Sequence, residues 1–161
     1  MKKTLLIGYG NLDREDDGVA WHILLHTARR LDIPFPDDPT EELDLLQGNP
    51  ALYFSLQLTP EFAEEISRYE RVCFIDAHTG NYPQDLNIQK LAPEFQRSPF
   101  THHLTPQSCL SLAQTLYGRA PEAILVSVKG YSFNFTQTLS QYTEELMPQA
   151  VKAIMDWLGS E

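Results

Sequence analysis

The residues of this chain best suited to chemistry are acids and histidines set at the ends of apolar runs. Asp16 and Asp17 follow the turn Gly8-Tyr9-Gly10-Asn11, Asp76 follows the run Val72-Cys73-Phe74-Ile75, and His102 and His103 precede Thr105-Pro106. Two carboxylate oxygens and an imidazole nitrogen make a mixed donor set for a divalent ion such as nickel, zinc or manganese, with positions left open for water or substrate. The same groups without a metal make a general acid and a general base, two acids whose pKa values are pushed apart by proximity. The residues alone leave both chemistries open. His22 and His26 are spaced four apart on a helix, as zinc ligands are, but Ile23-Leu24-Leu25 between them lacks the metalloprotease glutamate. A solvated or partly packed face is the simpler reading for that pair.

The stretch from Lys2 to Ala20 organises the rest. Thr4-Leu5-Leu6-Ile7 reads as a strand buried on both faces, and Gly8 and Gly10 allow a sharp turn because glycine reaches positive φ at little cost. Three readings compete for the acidic residues after this turn. A dinucleotide site requires G-x-G-x-x-G, but the third position is Asp13 and two aspartates would repel a pyrophosphate. A tight turn with a doubly acidic helix cap needs no ligand at all. The third reading turns one aspartate inward at the carboxyl end of the sheet, where open α/β sheets place their sites.

Further elements alternate. A helix is expected over residues 16–31, with Ile23, Leu24, Ala28 and Leu31 inward, and a strand over 51–58. Thr59-Pro60 has the form of an N-cap followed by a first helical proline. A strand over 71–75 puts Asp76 just beyond its end, a short strand covers 86–91, and Thr105-Pro106 starts a helix ending near Gly118. The most apolar strand spans 123–128 and leads into Lys129-Gly130-Tyr131-Ser132-Phe133. A last helix over 140–158 carries apolar residues at Tyr142, Leu146, Ala150, Ala153, Ile154, Trp157 and Leu158. Strand and helix in alternation predict a single α/β domain over residues 1–161, a mostly parallel twisted sheet with helices on both faces. Such a sheet gathers Asp17 and Asp76 at one edge. The proline-rich acidic stretch 32–50 reads as a surface connector with room for partner specificity.

The chain has 161 residues, 42% hydrophobic and 21% charged, with a formal net charge of -10. That charge disfavours nucleic acid and anionic lipid and tolerates a cationic partner segment. No apolar stretch is long enough to span a membrane, and no signal-peptide pattern opens the chain, so a cytoplasmic protein is expected. Cys73 and Cys109 lie in apolar runs without a pair motif and read as buried thiols.

Gly8-Tyr9-Gly10-Asn11 followed by Asp16-Asp17-Gly18-Val19 resembles the N-terminal signature of the hydrogenase maturation proteases, roughly G-x-G-N-x-L-x-x-D-[DE]-G-x-G. Asp13 stands where an apolar residue is usual, and Ala20 replaces the last glycine. The resemblance extends over nearly the whole chain, including Lys129-Gly130-Tyr131-Ser132-Phe133. It implies that Asp17, Asp76 and His103 are the metal-binding and catalytic residues, His103 being preferred to His102 on the family's spacing to the helix end Leu116-Tyr117-Gly118. Asp16, His78 and His102 are then candidates for orienting the ligands or water, with helix capping and loop solvation as the alternative. The implied activity is endopeptidase removal of the C-terminal extension from a nickel-loaded nickel-iron hydrogenase large-subunit precursor. Nickel would be supplied by that substrate, with zinc or cadmium as possible substitutes. The partner implied is the precursor, with no nucleic acid, no membrane insertion and a free monomer. Gln57-Leu58-Thr59-Pro60 departs from the Asp-Gly-Gly-Thr turn of some members, so partner choice differs in that loop. The alternatives are a non-catalytic, nickel-dependent checkpoint protein of the same fold and a small nucleotide-binding module.

Overall fold

Three of the strands are nearly uninterrupted apolar runs, which assemble as a parallel sheet when helices cover both faces. The computed structural model describes residues 2–39, 45–95 and 104–160. Its strands are β1 (Thr4–Tyr9), β2 (Ala51–Ser55), β3 (Arg71–His78), β4 (Leu86–Leu91) and β5 (Glu122–Lys129). They form one sheet in the order β2-β1-β3-β5-β4, parallel except for β4, which pairs antiparallel with β5 at the edge.

Side chains alternate across each strand, so the sheet supplies two cores. On one face Leu6, Cys73, Ile75 and Val126 pack against Ile23, Leu24 and Ala28 of α1 (Val19–Arg30) and Met147, Ala150 and Ile154 of α4 (Gln141–Leu158). On the other, Leu5, Ile7, Val72, Phe74 and Leu125 pack against Ala63 and Ile66 of α2 (Phe62–Ile66) and Leu110 and Ala113 of α3 (Pro106–Tyr117). The α/β arrangement expected from the alternation of elements is the one observed. Among the described residues no helix is long and apolar enough to cross a membrane.

Several local expectations hold. Thr105 caps α3 by accepting from Ser108 N at 3.1 Å, Pro106 opens the helix, and Gly118 closes it at φ 74°. Both cysteines are buried and free. Others differ for physical reasons. Gly8 serves packing, because a Cβ there would stand 2.9 Å from Leu24 Cδ1 and 3.0 Å from Ala20 Cβ, so its absence lets α1 lie close on β1. Strand β2 stops at Ser55, and Thr59 and Pro60 form a turn whose carbonyls accept from Phe62 and Ala63, so helix α2 starts later than the Thr-Pro pattern implied. In the first turn of α4 the inward residue is Thr143, whose hydroxyl donates to the Lys129 carbonyl at 2.9 Å, while Tyr142 is exposed and meets the Tyr131 ring.

The acidic turn also departs from the cap reading. Residues Glu15–Gly18 form a 3₁₀ turn, and no side chain caps α1. Asp16 is fully buried and points elsewhere: its carboxylate accepts from Tyr131 N, Ser132 N, Ser140 N and Ser140 Oγ at 2.6–3.0 Å. Burial raises this carboxyl, but the four hydrogen bonds outweigh it and the net shift is downward. Stability from Asp16 is therefore present above the ordinary carboxylate range and lost as pH falls through its lowered value. Removing the carboxylate takes the acceptor from three part-buried backbone N–H groups and from the Ser140 hydroxyl. Asp16→Ala is expected to cost about 3 kcal/mol or more in urea unfolding at pH 7, with the difference shrinking toward pH 3. An unchanged midpoint at pH 7 would contradict this.

Candidate functional site

The site is built where β1 turns over. Gly10 has φ 147° and its N–H donates to the Ser55 carbonyl at 3.1 Å, which ties the turn to the end of β2. A Cβ at Gly10 would fall 2.0 Å from the Asp17 carbonyl oxygen, so only glycine lets the turn press against Asp17. Asn11 N then donates to Asp17 Oδ2 at 2.7 Å and fixes the orientation of that carboxylate. Gly18 allows a second close approach, against the Leu12 backbone.

Asp76 arrives from the middle of the sheet. The sequence pattern places it just beyond its strand; the pairing with β5 continues through Asp76↔Ser127 to His78↔Lys129, so it lies within β3 near the carboxyl end. Register aligns Gly8 with Ile75 and therefore Tyr9 with Asp76, and it pairs Ser127 with Asn87. Tyr9, Asp76, Ser127 and Asn87 thus form a polar row across four strands, on the face otherwise occupied by Ile7, Phe74 and Leu125. Tyr9 Oη donates to Asp76 Oδ2 at 2.8 Å, while Asp76 Oδ1 and Ser127 Oγ are closed to solvent and lack a hydrogen-bond partner of good geometry.

Burial pushes the Asp76 carboxyl up to about 6; the hydroxyls of Ser127 and Tyr9 pull it down, and the neighbouring Asp17 adds to the rise. Asp17 and Asp76 line one cavity of about 260 Å³ with Tyr9, Gly10, Leu56, Gln57, Leu58, Ala77 and Leu104. None of these residues is basic. A second hollow of about 290 Å³ shares Gly10 and Leu56 with it and is walled by Asn11, Asp13, Phe54 and Gln137. Two carboxylates in a lining without a basic residue suit a divalent cation that takes oxygen ligands and completes its shell elsewhere.

The predicted trio is joined in part. Asp17 and Asp76 come together as the sheet topology required. His102 and His103 lie outside the described residues, although Leu104, the next residue in the chain, lines the cavity. Among the described residues no cluster of three His, Cys, Asp or Glu side chains could hold a metal ion. Asp16 orients the loop of residues 131–140 and does not line the cavity. His78 is buried with both ring nitrogens engaged: Nδ1 accepts from Gly80 N at 3.1 Å, so Nε2 carries the proton and donates to the Asp85 carbonyl at 3.1 Å. It fastens the loop after β3. His22 Nε2 meets the Gln137 carbonyl at 3.1 Å against the edge of Trp21, and His26 is exposed, so the spaced pair forms no ligand set. Tyr9 and Ser127 are site residues that the sequence pattern did not single out. Ser127 is the one polar residue in Ala123-Ile124-Leu125-Val126-Ser127-Val128, and that interruption was the available signal.

No family model matches the chain, and no curated protein matches it in sequence. Solved structures do share its fold. The hydrogenase maturating endopeptidase HybD from E. coli superposes with a TM-score of 0.66 at 17% identity, covering 97% of this chain and 91% of that one. The [NiFe] hydrogenase maturation protease HycI from Thermococcus kodakarensis gives 0.66 at 15% identity, covering 99% and 94%. The hydrogenase 2 maturation peptidase from Thaumarchaeota archaeon SCGC_AB-539-E09 gives 0.58 at 19% identity, covering 99% and 100%. This chain has the fold of those proteins.

Two outcomes are expected from the site's geometry. Native Asp76 keeps its proton to about pH 6, whereas the ordinary value is 3.8, so stability falls as pH rises between them, by about 3 kcal/mol in total. Asp76→Asn, which retains an acceptor for Tyr9, should then raise the Tm at pH 8 and lose that advantage below pH 4; a gain that is independent of pH would refute the burial account. Gly10→Ala should destabilise by about 3 kcal/mol or more in urea unfolding, because the new Cβ must displace the Asp17 backbone.

Proposed function

We propose that this chain is an endopeptidase that removes the C-terminal extension of a nickel-iron hydrogenase large-subunit precursor, reading the nickel already loaded in that substrate. The observation that carries the proposal is the pairing of Asp17 and Asp76 in one cavity without a basic residue in its lining, at the carboxyl edge of the sheet. The resemblance of Gly8-Tyr9-Gly10-Asn11 and Asp16-Asp17-Gly18 to the maturation-protease signature supports it, as does a fold shared with proteins named as hydrogenase maturation endopeptidases.

On this reading Asp17 and Asp76 supply oxygen ligands to the substrate's nickel and His103 supplies an imidazole nitrogen. Uncompensated negative charge makes the empty cavity costly, and a bound divalent ion relieves that cost, so loaded precursor is favoured over unloaded. The adjoining hollow at Asn11, Asp13, Phe54 and Gln137 offers room for the peptide flanking the scissile bond.

Mass spectrometry of nickel-loaded and nickel-free precursors incubated with the protein tests this. Loss of one defined C-terminal peptide from the loaded precursor alone is expected, with Asp17→Asn and His103→Ala reducing the rate at least a hundredfold. Binding of the loaded precursor without cleavage would establish the non-catalytic checkpoint reading in its place.

A further inference from the structure

Asp13 stands in the glycine turn where the maturation proteases have an apolar residue, and the cavity of Asp17 and Asp76 makes no use of it. It lines instead the adjoining hollow of about 290 Å³. Leu12, Pro39, Phe54 and Leu56 give that hollow an apolar wall, Gln137 adds an amide, and Asp13 is the one charged residue among the described residues of its lining. We propose that Asp13 is a specificity residue and that the hollow is the subsite for an arginine or lysine side chain of the precursor, in the segment beside the scissile bond. The inference rests on the proposed function for the identity of the substrate, and on the turn for its geometry.

The carboxylate is set in place from two sides. Asn11 Oδ1 accepts from Asp13 N at 3.0 Å, and Gln137 Nε2 donates to Asp13 Oδ1 at 2.8 Å. Gln137 is itself anchored, because its carbonyl meets His22 Nε2 at 3.1 Å and the preceding Thr136 carbonyl accepts from Glu15 N at 2.8 Å. Among the described residues Asp13 Oδ2 takes no hydrogen bond and Asp13 forms no ion pair. The next residue, Arg14, is engaged elsewhere, with its guanidinium 5.0 Å from the centroid of the Phe135 ring. An arginine or lysine satisfies both parts of the hollow, since its aliphatic stem packs on apolar surface while its cationic head reaches a carboxylate. An acidic side chain there would be repelled. The hollow shares Gly10 and Leu56 with the cavity of Asp17 and Asp76, so an extended peptide crossing those two residues brings nearby side chains to both.

NMR titration of the free full-length protein with N-acetyl-arginine methylamide tests the subsite without any precursor. Saturable shifts at the backbone amides of Asp13 and Gln137 are expected. Asp13→Asn keeps an acceptor for Gln137 and removes only the charge, and should weaken this binding about fivefold, as for an exposed ion pair. N-acetyl-norleucine methylamide, which carries the stem without the cation, should leave those amides unshifted. Asp156→Asn makes the same change in net charge beside Trp157, at the end of the sheet where Arg71 begins β3, and should bind the arginine compound as the unaltered protein does. With nickel-loaded precursor, Asp13→Asn should lower kcat/KM about fivefold. Asp13→Lys should lower it further and regain cleavage on a precursor whose arginine or lysine beside the scissile bond is replaced by glutamate. Absence of shifts at Asp13 and Gln137, or equal arginine affinity in Asp13→Asn and the unaltered protein, would overturn the proposal. If the titrations behave as expected and no precursor is cut, the cationic subsite stands and the endopeptidase reading fails. If Asp13→Asn cuts precursor as well as the unaltered protein does, the endopeptidase reading stands and the subsite fails.

Discussion

The structure depends on one buried anion. Among the described residues Asp16 has no ion-pair partner, and it is tolerated because the segment 131–140 converges four donors on its two oxygens. Glu15 reinforces the contact by accepting from Ser132 Oγ and Asn134 N, and the backbone amides of Glu15 and Asp16 donate to Thr136 and Ser132. Glu15 sits at φ 50° to do so, a strain of about 1 kcal/mol that these bonds offset. The clamp ties the start of α1 to the start of α4 across the end of β5. Because Asp17 is the next residue, the same clamp decides where the first acid of the site stands.

A second constraint comes from strand register. In a parallel sheet, residues in register on neighbouring strands point to the same face, so one polar residue per strand at the carboxyl end becomes a polar row. Tyr9, Asp76 and Ser127 form such a row above an otherwise apolar face, and Asn87, near the amino end of the antiparallel edge strand, extends it. The apolar layer beneath removes water from Asp76 and raises its carboxyl to about 6, while Tyr9 supplies its one well-formed hydrogen bond. Ionising a carboxyl so placed costs stability, because burial disfavours the charged form.

Much of the fold was legible in the residues. Runs such as Leu5-Leu6-Ile7 and Ala123-Ile124-Leu125-Val126 are long enough and β-branched enough to be strands. Thr105-Pro106, Ser140 and Gly118 mark helix ends through short-range hydrogen bonds and backbone conformation, which the chain carries locally. The acids of the site were legible for a related reason: a charge directly after a buried strand falls at the sheet edge in almost any α/β topology. Less could be read where the partner is far along the chain. Asp16 looked like a helix cap because its local position suits one, and its true donors lie more than a hundred residues away.

The sequence by itself therefore determined the α/β class, the order of elements, the glycine turn and the pairing of Asp17 with Asp76 at one edge, because periodicity and turn chemistry are local properties. Tertiary structure decided which acid serves the clamp and which serves the cavity, the extension of β3 through Asp76, the commitment of both His78 nitrogens to a loop, and the recruitment of Tyr9 and Ser127. Those outcomes depend on register and on donors brought in from distant segments, and a hydrogen bond has no signature in the chain until folding places both of its ends together.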